Sequence, residues 1–145
     1  MIELMIAAAL AQSGAAPATA APDPCNAAAR VSRRAGCPAW RYLQTDQGNR
    51  VYVDPASLLR SLPVIEIDLR TIAAQSQSSG LRTVVARLRY HCATRTAVAL
   101  NLRVYDAAGT LLAEGPPPAR MGDPPIQPNT PVAALLAGYC RTRAR

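Results

Sequence analysis

Two cysteines stand on apolar faces of different period, and a chain that must bring them together has few folds open to it. Across residues 82–92 the even positions Val84, Ala86, Leu88, Tyr90 and Cys92 are apolar, while Arg87, Arg89 and His91 alternate against them. Near the C-terminus, Thr130 and Pro131 carry helix-start chemistry, and Val132, Leu135, Leu136, Tyr139 and Cys140 recur at helical spacing. A period of two lines one face of a strand, and a period near 3.6 lines one stripe of a helix. The helical stripe needs an apolar surface to lie on, and the strand face is the only candidate of sufficient size. A Cys92–Cys140 disulfide is therefore predicted. It is the one pairing of the chain's four cysteines that satisfies both patterns.

Two further runs extend the sheet. Ile65, Ile67 and Leu69 alternate with Glu66, Asp68 and Arg70, and Val98, Leu100, Leu102 and Val104 alternate with Asn101 and Arg103. This reading places Ala97 and Ala99 on the outer face. Turn-forming residues at 75–80 and the short 93–95 connection suit antiparallel neighbours. Face parity permits Asp68 opposite Arg87 and Glu66 opposite Arg89. A hairpin is expected upstream, from residues 40–44 through Asp46-Gln47-Gly48-Asn49 to residues 50–53. Asp54-Pro55 reads as a cap followed by a single helical turn over residues 56–59. A last short strand is expected over residues 110–113. The six prolines of residues 115–128 exclude regular structure through most of that stretch. The fold class expected is α+β: an antiparallel β-sheet, one face covered by a C-terminal α-helix, stapled by disulfides.

The first 37 residues read differently. Residues 4–10 are apolar, and Ala9-Leu10-Ala11 before Gln12 has the small-x-small form of a signal-peptidase site, with a second such site at Ala18-Thr19-Ala20. Glu3 stands where a positive charge is usual. The domain plan is a signal peptide at 1–11, a flexible tether and short cysteine-bounded segment at 12–37, and the sheet-plus-helix domain at 38–145. Within the bounded segment, residues 27–34 favour helix by propensity, and Cys25 with Cys37 would close a short loop worth about 3 kcal/mol. The apolar run is too short to span a bilayer, for which roughly 20 residues are needed. Periplasmic or secreted placement follows.

Composition limits the function classes. Formal net charge is +7, and every one of the 16 basic residues is arginine. The arginines are scattered, which favours a codon-driven bias and a solvated surface over a nucleic-acid stripe. Stacking aromatics are few, with five Tyr, one Trp and no Phe. Binding of nucleic acid is not expected. Acid–base or nucleophilic chemistry wants histidine or paired carboxylates beside an activated nucleophile. His91 is the single histidine and falls on the polar strand face among arginines. No CxxC occurs, so neither a zinc module nor a redox dithiol is indicated. The expectation is a protein without enzymatic activity, cofactor or metal. Arg87, Arg89 and Arg103 (with Arg95 near the strand end) form the candidate ligand-contact face. It would suit an envelope or extracellular protein, or an anionic envelope glycan.

The order of short motifs is also informative. Trp40 is followed by Val51-Tyr52-Val53-Asp54 with Ser57-Leu58. Arg89-Tyr90-His91-Cys92 comes next, then Tyr105-Asp106-x-x-Gly109 and a proline-led helix ending at Cys140. Over about residues 38–142 this order resembles the bacterial surface-adhesin protein E domain. Two features depart from that pattern. Pro125-Ile126-Gln127-Pro128 stands where a second aromatic often precedes the helix, and no lipidation cysteine follows the leader. The resemblance implies an antiparallel sheet on a C-terminal helix, a cell-envelope location and homodimer formation. In some members it also implies binding of host extracellular proteins.

Overall fold

The structure is a computed structural model that describes residues 24–26, 36–117 and 126–141. The expected leader at 1–11, most of the tether, the helix expected at 27–34 and much of the proline-rich stretch lie outside the described residues. Six strands follow one another in order: β1 (Arg41–Asp46), β2 (Asn49–Ser61), β3 (Val64–Ile72), β4 (Thr83–His91), β5 (Thr96–Tyr105) and β6 (Leu111–Gly115). Each pairs antiparallel with the next, making a single meander. One α-helix, α1 (Pro131–Cys140), follows the sheet among the described residues. No helix among the described residues is long and apolar enough to cross a membrane.

The β1–β2 turn shows how local chemistry sets the meander. Gln47 and Gly48 both have positive φ, the conformation that matches a two-residue turn to the twist of its strands. A Cβ at Gly48 would meet Ala74 at 2.9 Å, so glycine is also required by the neighbouring loop. Asn49 Oδ1 accepts from the Ala74 amide and holds that loop in place.

One sheet face carries Val51, Val53, Ile65, Ile67, Leu69, Val84, Leu88 and Tyr90, all buried in the main core. Helix α1 lies over it, burying Val132 and Leu136, with Leu135, Tyr139 and Cys140 packed at the margin. Thr130 caps the helix by accepting from the Ala133 amide, and Pro131 opens the first turn. A contact that periodicity does not reveal fixes the entry: the Val132 amide donates to Gln44 Oε1 of β1 at 3.1 Å. The exit is fixed covalently. Cys92 and Cys140 are bonded with their Cα atoms 5.8 Å apart, tying the end of the helix to the residue after β4. Cys25 and Cys37 form a second disulfide.

Two expectations are corrected, both by β-bulges. Residues 56–59 do not form a helical turn. They belong to β2, where residues 55–58 stand against Ile67 alone before pairing resumes at Leu59 and Glu66. The cap chemistry is present, since Asp54 Oδ1 accepts from the Ala56 amide and Ser57 Oγ donates to the Asp54 carbonyl. It shapes a bulge because the chain re-enters the ladder instead of leaving it. The second bulge lies in β5. Arg87 pairs with Asn101 but Leu88 pairs with Ala99, so Leu100 is supernumerary and parity inverts upstream of it. Ala97 and Ala99 therefore face the core at 2% and 6% exposure, and Val98 lies opposite Arg89 on the outer face. The bulky Tyr90 and Leu88 stand directly across from these alanines, and the small partners accommodate them.

The outer face is not uniformly solvated either. Towards the β3–β4 loop it buries Tyr52, Ile72, Thr83, Val85 and Tyr105, and Arg70 is fully inaccessible. Trp40 sits with its ring 5.9 Å from the Arg70 guanidinium carbon, a cation–π arrangement.

The disulfides close separations of 12 and 48 residues. Replacing Cys92 and Cys140 together by alanine is expected to lower unfolding free energy by about 4 kcal/mol, read as a reduced urea midpoint with a slope that rises as the unfolded chain loses its cross-link. The β5 bulge predicts an inverted sensitivity. Ala99→Leu overpacks the core and costs about 1–3 kcal/mol, whereas Val98→Thr costs less than about 1 kcal/mol in the same assay.

Candidate ligand-contact face

The outer surface of β3 to β6, away from the Arg70 cluster, presents a ladder of charges. Cross-strand register sets Glu66 opposite Arg89 and Asp68 opposite Arg87, as face parity allowed. Further along, Arg87 pairs with Asn101 and Arg103 with Glu114. Period-two alternation on four adjoining strands is what collects these side chains on one surface.

The three arginines do not share one environment. Arg87 is held on three sides: Nη1 donates to the Ser57 carbonyl at 2.8 Å and to Asp68 Oδ1 at 3.1 Å, and Nη2 lies 3.6 Å from Glu66 Oε2. Its side chain is half-buried, and so are both carboxylates. Arg89 sends Nε and Nη2 to a single oxygen, Glu66 Oε1, at 3.0 and 2.8 Å, and remains 44% exposed. Arg103 has Glu114 as its cross-strand neighbour but forms no ion pair among the described residues. Glu114 instead accepts a long contact from Asn101 Nδ2 at 3.5 Å.

Formal charges on this face cancel. Arg87, Arg89 and Arg103 stand against Glu66, Asp68 and Glu114, three positive and three negative. A surface of alternating sign offers donors and acceptors in fixed register, which suits a partner of mixed polarity better than a polyanion. Each half-exposed pair contributes at most about 1 kcal/mol to stability, so the ladder is not what holds the fold together.

His91 ends β4 half-buried, between Val64 and Thr96 in the register. No group of three potential metal ligands occurs among the described residues. Arg95 stands apart from the ladder, in the β4–β5 turn with positive φ.

Ser57 is a member of this face that the residue pattern does not announce. Its hydroxyl accepts from the Asp68 amide while its carbonyl receives Arg87, so one residue of the β2 bulge braces both members of an ion pair. The Asp54-Pro55-Ala56-Ser57 stretch was legible as turn chemistry, but its reach across β3 depends on the bulge. Tyr42 and Tyr52 add an edge-to-face aromatic pair, centroids 5.7 Å apart, on the same side of the sheet.

No curated protein matches the chain at a significant level. A family model described as surface-adhesin protein E matches residues 40–141. That span begins at the tryptophan set over Arg70 and ends one residue beyond the disulfide-bonded Cys140, so it takes in all six strands and the helix. The chain belongs to the surface-adhesin protein E family.

Proposed function

We propose that the protein is an exported, non-enzymatic binding module of the cell envelope, and that Arg89 and Arg103 on the outer sheet face contact its partner. The family match across the whole sheet and helix is the observation that carries this reading. Two disulfides support it, because such bonds persist outside the reducing cytosol. The leader expected at residues 1–11 is consistent with the same route.

The partner class proposed is an envelope or extracellular protein. A ladder of cancelling charge gains little from a glycan or nucleic acid of uniform negative sign, whereas a protein surface can answer both signs. Arg89 and Arg103 are the contact residues because Arg87 is already committed to Ser57, Asp68 and Glu66.

Capture of envelope and extracellular-matrix proteins on the immobilised, oxidised full chain tests the reading. One specific protein should be retained, and Arg89→Ala with Arg103→Ala should weaken its binding about tenfold or more. Retention unaffected by that double substitution removes the face from the proposal. Salt dependence separates the ligand classes. A protein partner gives a shallow decline with ionic strength, and a polyanion a steep one. Glu66→Gln with Asp68→Asn uncovers two arginines and should strengthen retention on a heparin column while leaving protein capture weaker.

A further inference from the structure

Charge and exposed apolar surface are segregated towards one end of the sheet. Three connections meet there: the Leu62–Pro63 turn between β2 and β3, the residue 92–95 turn between β4 and β5, and the end of α1. They are joined tightly. The Cys92 amide donates to the Pro63 carbonyl at 2.9 Å, Cys92 is bonded to Cys140, and Arg60 Nη2 donates to the Arg141 carbonyl at 2.9 Å.

Residues 59–63 are all exposed, as are Arg95 and Arg141. Of the three large apolar side chains exposed among the described residues, two are here: Leu59 at 60% and Leu62 at 45%. Arg60 lies between them in sequence, Arg141 is joined to Arg60, and Arg95 stands in the turn that Cys92 ties to Pro63; none of the three has an ion-pair partner among the described residues. Glu66, the acidic residue opposite Leu59, is occupied by Arg87 and Arg89. The opposite end of the sheet differs, because Asp46 and Asp106 in its turns offset Arg50 and Arg82.

We propose that this end docks on an anionic lipid surface. Arg60, Arg95 and Arg141 would take phosphate-bearing headgroups, and Leu62 and Leu59 would enter the interface. The dimensions agree. Three residue steps carry the chain from Leu59 to Leu62, about 10 Å at most, comparable with the 5–10 Å to which interfacial apolar groups penetrate. A projecting hairpin tip suits a deformable surface, and the hydrogen bond from Arg60 leaves most of its guanidinium donors available. Leu59 adjoins the ladder at Glu66, but Arg60, Arg95, Arg141 and Leu62 stand outside it, and the proposal does not rest on that reading.

Co-sedimentation of the oxidised full chain with vesicles tests it. Vesicles of phosphatidylcholine containing one-third phosphatidylglycerol should bind the chain, phosphatidylcholine alone should bind it at least tenfold more weakly, and high salt should release it. Arg95→Asn with Arg141→Gln should weaken binding to the anionic vesicles roughly 25-fold, about fivefold for each arginine. Asparagine tolerates the positive φ of Arg95, and the Arg141 carbonyl that holds Arg60 is retained, so this variant keeps its fold. Leu59→Ser with Leu62→Ser should weaken binding roughly tenfold. Equal binding to neutral vesicles, or no loss in either double variant, overturns the proposal. So does full competition by inorganic phosphate at matched concentration, which would assign the arginines to a lone anion. Sedimentation velocity covers the remaining occupant. A dimer that Leu59→Ser with Leu62→Ser converts to monomer, without vesicle binding by the parent chain, assigns the tip to a second copy and overturns the lipid reading.

Discussion

Everything in this domain is referred to the contact between one helical stripe and one strand face. A single antiparallel sheet has an apolar side that water would oppose, and α1 is the element that covers the β1–β3 part of it. The helix is only ten residues long, too short to be stable by itself. Its position is set at both ends by different means, a hydrogen bond from Val132 to Gln44 at the start and a covalent bond from Cys140 to Cys92 at the finish. Between those anchors Val132 and Leu136 need only be apolar and correctly spaced. The disulfide acts on the unfolded chain by restricting it, while the core acts on the folded chain.

Irregularity in the strands then decides what each face presents. The β5 bulge turns two alanines inward beneath Leu88 and Tyr90, so the core beside the helix is built of alternating large and small residues. The β2 bulge works on the other face. It places Ser57 where its hydroxyl and carbonyl reach β3 and β4, and it thereby organises Asp68 and Arg87. The outer surface is consequently divided into a buried aromatic and cationic half around Trp40 and Arg70, and a ladder of ion pairs from Glu66 to Glu114.

The parts of this arrangement that depend on period were legible from the residues. Alternation in β3 and β4 assigns the faces found and permits the ion-pair register that the strands adopt, and helical spacing in α1 identifies its buried stripe and its disulfide partner. What period cannot carry is a change of phase. Thr96 to Tyr105 alternates so regularly that Val98 and Leu100 looked inward, and only the size of Tyr90 and Leu88 across the ladder hints otherwise. Asp54-Pro55 has the same local chemistry at a helix start and at a bulge, and the outcome is decided by whether β3 is there to receive Leu59. Alternation puts Arg70 on the polar face of β3, and nothing in its sequence neighbours announces its burial. The candidate contact residues were legible as a set, but their division into a braced Arg87 and more available Arg89 and Arg103 required distances.

The β2 bulge has a consequence for solubility as well. Strand β1 pairs only as far as Val53, and β2 runs on past it to Ser61. A straight continuation there would expose a run of backbone donors and acceptors, a template on which another molecule's strand could stack. Pro55 removes one donor, and the four residues set against Ile67 break the regular spacing that stacking requires. The kink that steadies an arginine on one surface thus also blunts a margin from which fibrous polymers could otherwise grow.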